Sequence, residues 1–346
     1  MRRSLPVSVI AALAACALPL VAQKPADRLL VLNKAEATAS LIDLASGKIV
    51  VTLPVGEGPH EVAVRDDGRI AVACNYGTGP APGKSLTVLD LAELKVVRTI
   101  DLGAYRRPHG IAWLPDRKHV LVTVEANQGV LLVDVDAGTV VQFIATEQQG
   151  THLMVISPDG KRAYTSNLGS GSVSMLDLTA RTRLKTTTTG KFPEAIDLSP
   201  DGKWLWSADR TLERVTILDA TTLDTVRSLP TGKFPNRLKF TPDGRTVVLS
   251  NAQSSTLGFY DVAGQRPDGE LTFTVDPALI RPQLLGAQMG TSATPLGILM
   301  DPSGRRAFVA LAAMDRIAEV DLAKRVVVRL IAAGREPDGM ALVHAR

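Results

Sequence analysis

The chain has 346 residues, of which 45% are hydrophobic, 4% aromatic and 21% charged, with 39 Lys and Arg against 35 Asp and Glu. A formal charge of +4 is too small to argue for nucleic acid as a partner. Two cysteines, Cys16 and Cys74, leave no room for a disulfide framework, so the fold has to stand on packing, mainly of Val, Leu and Ile.

Arg2 and Arg3, the run LPVSVIAALAACALPLVA and the polar QKPADR match the charged, apolar and cleavage regions of a secretory signal. Residues 1–22 are therefore expected to be cleaved after Ala22, giving a periplasmic or secreted protein. LAAC at Leu13 to Cys16 also resembles a lipoprotein box, which would anchor a lipid on Cys16, but the apolar run continuing to Ala22 speaks against it. Pro6 and Pro19 interrupt a stretch already short for a membrane helix, so no transmembrane helix is expected in the mature chain. Cleavage removes two arginines and no acid, leaving 37 basic against 35 acidic residues, a net charge near +2. It also leaves Cys74, in the apolar segment VACN, as the remaining thiol, expected to be buried and inert.

After this segment, stretches near Leu29 to Asn33, Ala39 to Asp43 and Ile49 to Pro54 read as strands. A repeat then begins. Equivalent strand starts fall at Pro59, Pro108, Thr151, Pro193, Pro235, Pro295 and Pro337, separated by 49, 43, 42, 42, 60 and 42 residues. That is the period of a four-stranded propeller blade. Three and five residues after each start stand apolar pairs such as Val62 and Val64, Ile111 and Trp113, Ile196 and Leu198, the period-2 stripe of a strand with one buried face.

Nine residues after the start comes a turn position, Gly68, Arg117, Gly160, Gly202, Gly244 and Gly304, where glycine accepts a positive φ in a tight hairpin. Each blade also has an Asp ending a strand: Asp43, Asp90, Asp134, Asp177, Asp219, Asp261 and Asp321. Asx bonds to the following turn account for all seven, which removes them from the candidate catalytic carboxylates. Only ten residues remain from Pro337 onward, enough for one strand, so the three N-terminal strands are expected to complete the last blade and close the ring. The prediction is an all-β, seven-bladed β-propeller with four antiparallel strands per blade, one domain over residues 27–346. Two long insertions, Asn75 to Ser85 and Asp276 to Thr294, fall on the rim where the inner strands begin, and are read as binding loops.

In a repeat, function lies where the blades differ at one structural position. The residue after each start is His60, His109, His152, Glu194, Asn236, Leu296 and Asp338. Imidazoles and carboxylates at one height could take a transition metal on His60, His109 and His152, hold a polar ligand without metal, or pack between blades with each His bonded to a loop carbonyl. Two residues before each start lies a second ring, Glu57, Arg106, Gln149, Lys191, Lys233, Ala293 and Arg335, with Arg107 and Arg281 as additions. Four of its seven members are basic, which favours an anionic ligand or an acidic partner surface. No phosphate-binding glycine loop, GxSxG elbow, zinc-protease helix or paired-cysteine motif is present; NLGSGS at Asn167 to Ser172 is a hairpin loop.

The unit RAYTSNLGSGSVSMLDLTARTRLKTTTTGKFPEAIDLSPDG resembles the YVTN-type β-propeller repeat family, most closely at YTSN (Tyr164 to Asn167) and more loosely at VACN, VLSN and LVLN. The resemblance implies an exported propeller and covers nearly the whole mature chain. Phosphogluconolactonase-type lactonases and streptogramin lyases look similar in fold, without a residue-by-residue match to their catalytic sets. The leading expectation is an exported, monomeric binding or interaction module for a small molecule or protein partner. It would act through His60, His109, His152, Glu194, Asn236 and Asp338, with Arg106, Lys191, Lys233 and Arg335 as electrostatic guides. The alternative is an enzyme at the same mouth, a lactonase-like hydrolase or a metal-dependent oxidoreductase.

Overall fold

A computed structural model describes residues 27–284 and 286–344, so the expected signal segment and Cys16 lie outside the described residues. Its 28 strands form seven four-stranded antiparallel sheets, the blades of a propeller. The inner strands are Pro59–Val64, Pro108–Trp113, Thr151–Ile156, Pro193–Leu198, Pro235–Phe240, Pro295–Met300 and Pro337–Val343, each beginning at its expected residue. Blades 1 to 6 follow from the first six in chain order. In blade 7 the strand Pro337–Val343 pairs with Arg28–Asn33, Met340 opposite Val31, and Thr38–Asp43 and Lys48–Pro54 complete the sheet.

The repeated residues do scaffold work. All seven strand-ending aspartates accept backbone N–H groups of the turn that follows them. Arg117, where other blades have glycine, takes φ 59° and lays its guanidinium on Asp66 at 2.8 Å. The asparagine of the YTSN-like segments is buried at the end of the second strand, where Nδ2 donates to a third-strand hydroxyl: Asn33 to Ser40 at 2.9 Å, Asn75 to Ser85 at 2.9 Å, Asn167 to Ser174 at 3.0 Å and Asn251 to Thr256 at 3.0 Å. An apolar cluster fills each of the seven interfaces between neighbouring blades, with Trp206 fully buried between blades 4 and 5.

One expectation is corrected. The segment Asn75 to Ser85 is not a long loop: strands Ile70–Gly77 and Pro82–Asp90 run into it and pair Asn75 with Ser85 and Gly77 with Pro82. Gly83 makes this extension feasible, since a Cβ there would sit 1.9 Å from the Asn75 carbonyl oxygen. The segment Asp276 to Thr294 does remain a loop, with one short 3-10 helix at Gly286–Met289. Arg281 N donates to Ala313 O at 2.9 Å, and Leu284 N donates to the Glu336 carboxylate. Cys74 is buried, and burial pushes its thiol well above the usual range. Among the described residues no helix is long and apolar enough to cross a membrane.

Candidate functional site

A plain period-2 strand would put the residue after each start on the same face as the apolar stripe, between blades. The inner strands break that period. Each loses register with its neighbour around this residue: Pro59 to Val62, Pro108 to Ile111, Thr151 to Met154, Pro193 to Ala195, Pro235 to Arg237, Pro295 to Ile298, and, for blade 7, opposite Val31 to Asn33. A bulge re-aims the side chain it carries. As a result His60, His109, His152, Glu194, Asn236, Leu296 and Asp338 all line one cavity of about 360 Å³ at the end of the channel. Packing between blades is thereby set aside for these residues.

Three glycines one residue further along, Gly110, Gly297 and Gly339, bring neighbouring inner strands together. A Cβ on Gly339 would lie 2.2 Å from the His60 carbonyl oxygen, and one on Gly110 would lie 3.0 Å from that of His152. The imidazoles consequently stack round the rim, with ring centroids 4.9 Å apart for His60 and His109 and 3.8 Å for His109 and His152.

The basic ring predicted from the sequence is not in the cavity. Arg106, Lys191, Lys233 and Arg335 do not line it; Lys191, Lys233 and Arg335 are exposed, and Arg106 donates to the carbonyls of Gly103 and Tyr105. Lys34, Arg210 and Arg237 supply the positive charge instead. Lys34 and Arg210 belong to a second ring, at an equivalent position in each blade, immediately after the residue that is Asn or Asp in five blades, Val124 in blade 2 and Leu311 in blade 6: Lys34, Tyr76, Glu125, Leu168, Arg210, Ala252 and Ala312. Comparing blades at that position, as was done for the first ring, would have picked it out. Arg237 stands two residues after its start and reaches the axis.

These residues join in one network. Tyr76 Oη donates to Glu125 Oε2 at 2.6 Å; the other Glu125 oxygen bonds His152 Nδ1; His152 Nε2 lies 3.1 Å from Glu194 Oε1. Glu194 also accepts from Arg210 at 2.8 Å, Asn236 at 3.3 Å and Arg237 at 3.4 Å. Arg237 reaches Glu61 at 2.7 Å, and Lys34 holds Asp338 at 3.1 Å. Blades 5 and 6 differ: Ala252, Leu296, Ala312 and Met289 make an apolar cluster there, with Phe234 against it.

Burial alone would discharge the His152 ring, but the carboxylates of Glu194 and Glu125 outweigh it and hold its pKa up, at about 9. Burial also acts against Glu194 and Glu125, yet the His152 charge keeps both below the usual carboxylate range. His60 goes the other way: burial, then the Lys34 charge, lower it to about 4. Burial and the neighbouring His152 likewise push His109 well down. His60 Nδ1 lies 2.7 Å from the Gly58 carbonyl oxygen. A carbonyl only accepts, so Nδ1 bears the hydrogen and the Nε2 lone pair is free. Nδ1 of His109 is buried without a partner.

His109, Glu125 and His152 offer donor atoms that all lie within 4.8 Å of one another. His60 is not part of that group, so the trio of histidines expected from the sequence is replaced by two histidines and a glutamate.

The family described as "Lactonase, 7-bladed beta-propeller" matches residues 23–285. Among curated proteins none matches. Solved structures with the same fold include hydrazine synthase of Kuenenia stuttgartiensis, at 19% identity and TM-score 0.68 over 82% of this chain and 88% of that one. Another is a functionally unknown protein from Desulfotomaculum acetoxidans DSM 771, at 14% identity and TM-score 0.74 over 93% and 100%. At such identities the likeness speaks for the fold alone. The family match spans well over half of the chain, which therefore belongs to the seven-bladed β-propeller lactonase family.

Proposed function

We propose that the protein hydrolyses a small cyclic ester in the cavity at the histidine-bearing mouth. The observation that carries this reading is His60: its Nδ1–H is tied to Gly58 O, so Nε2 presents an unprotonated lone pair to the site. Across the cavity Arg210 is gripped by Glu194 and stacked at 5.1 Å on both Phe192 and Phe234, a fixed cation for the carbonyl oxygen. Water attacks the carbonyl carbon as His60 Nε2 takes its proton. The ring C–O bond then breaks, the imidazolium returns the proton to the departing alkoxide, the carboxylic acid so formed releases its proton to solvent, and Arg210 holds the resulting carboxylate. Membership of a lactonase family supports the reaction class, and the cavity volume suits a small molecule.

The test is proton release from a panel of four- to seven-membered and aromatic lactones. The reading expects turnover on at least one, reduced about 10²-fold or more in His60→Gln and also lowered in Arg210→Met. A panel with no turnover, or full activity in His60→Gln, refutes it.

A second reading, a non-catalytic binding module, has one observation in its favour: each cation of the mouth already has a carboxylate partner, so the cavity is close to neutral. Binding of a polar molecule without turnover would select it. The charged and apolar segments at the N-terminus support an exported protein, the repeat itself supports a single domain over 27–346, and the asparagine-ended second strands support a YVTN-type repeat. Arg106, Lys191, Lys233 and Arg335 would then act at most as distant guides for a charged ligand.

A further inference from the structure

We propose that His109, His152 and Glu125 form a binding site for a divalent first-row transition metal ion, separate from the base His60. One donor atom from each lies within 4.8 Å of the other two. Around an ion with bonds of about 2.1 Å, donor atoms stand roughly 3.4 Å apart, so modest side-chain rotation closes the site. His109 is 1% exposed and its Nδ1 has no hydrogen-bond partner, an orphan whose desolvation nothing in the protein offsets. An ion would satisfy it.

The surroundings are those of a coordination site. A ligating imidazole needs its far nitrogen held by an acceptor, and Glu194 Oε1 stands 3.1 Å from His152 Nε2. A ligating carboxylate needs its second oxygen held, and Tyr76 Oη donates to Glu125 Oε2 at 2.6 Å. The nearer Glu125 oxygen now accepts directly from His152 Nδ1–H. The ion takes the place of that proton, keeping both groups and adding His109. Two imidazoles and one carboxylate, with open positions towards the cavity, are the donor set of zinc and iron(II) sites rather than of calcium or magnesium. Glu125 and Glu194 bring the compensating negative charge.

Calorimetric titration of chelator-stripped protein with Zn²⁺, repeated with Co²⁺ for its visible absorption band, tests this without reference to turnover. The expected result is about one tight site per chain, weakened at least tenfold by His109→Ala and by Glu125→Gln, and about 10- to 100-fold by Tyr76→Phe. Binding should be unchanged in His60→Gln, which is the variant that stops lactone opening. Melting curves identify any variant that fails to fold, and Tyr76→Phe, which removes one hydroxyl, serves as the mild alternative. No tight site in the parent, or a site indifferent to both His109→Ala and Glu125→Gln, overturns the proposal. Metal binding without lactonase activity leaves it standing and refutes only the hydrolytic reading.

Discussion

The same seven inner strands line both ends of the channel, and the two ends carry different side chains. At one end the bulged residues put three histidines, two acids and an amide round a cavity of about 360 Å³. At the other, a cavity of about 510 Å³ is lined by the apolar stripe, with Val62, Ile111, Met154, Leu238 and Met340 among its residues, together with the charged Glu61, Arg237 and Lys239. Arg237 contributes to both cavities and bonds Glu61 and Glu194. A propeller can thus keep a uniform scaffold pattern and still concentrate chemistry, because a one-residue register slip frees a single position per blade from packing.

Removing the residue shared by the two ends should have the largest effect. Arg237→Met leaves the half-buried Glu61 and the buried Glu194 with a lost partner, and breaking such a pair costs about 3–5 kcal/mol. Denaturant unfolding should read a loss of that order, whereas a change under 1 kcal/mol would mean that the Arg237 ion pairs do not hold Glu61 and Glu194 in place. Gly339→Ala comes next. Its methyl group would press on the His60 carbonyl oxygen, and overpacking of this kind costs about 1–3 kcal/mol. Displacement of His60 should also lower activity more than an equally destabilising change in the far cavity, such as Met340→Ala.

Titration should distinguish the ends as well. The unfolded chain protonates histidine near 6.5 but folded His60 resists until about 4, so the folded state loses stability as the pH falls between these values. His152 has the opposite sign: its ion pairs stabilise the fold fully below 6.5 and fade as the pH rises through about 9. Melting temperature of chelator-treated protein should therefore drop on both sides, and His60→Gln should flatten the acid side. An acid side unchanged by that variant contradicts the buried, neutral His60. The smallest effect is expected from Lys191→Ala and Lys233→Ala, exposed and outside the cavity, within about 0.5 kcal/mol in stability. A marked loss of activity in either would restore the basic collar as a working part.

The fold was open to sequence reading because its punctuation is chemical. Prolines mark inner strands, Gly turns and Asx-bonded aspartates mark the hairpins, and each works locally. The first ring of the site was open for the same reason, standing at a fixed step from the prolines. The bulge that turns it inward was not, since an inserted residue leaves the composition of the strand unchanged. Lys34 and Tyr76 were hidden behind the repeated asparagine, Arg210 behind Asp209 and Glu125 behind Val124 at the same position, and Arg237 at a step where other blades have Gly, Ala, Leu or Glu. The segment Asn75 to Ser85 misled because its glycines and prolines look like a loop while serving a close hairpin.

Nitrogen-15 NMR of histidine-labelled, metal-free protein tests the convergence of the two rings most directly. At pH 7 the spectra should show His60 neutral with its proton on Nδ1, His109 neutral, and His152 protonated on both nitrogens up to about pH 9. Three rings titrating together near the ordinary value, or a neutral His152 at pH 7, would contradict the clamp of Glu125 and Glu194 and with it the site built around it.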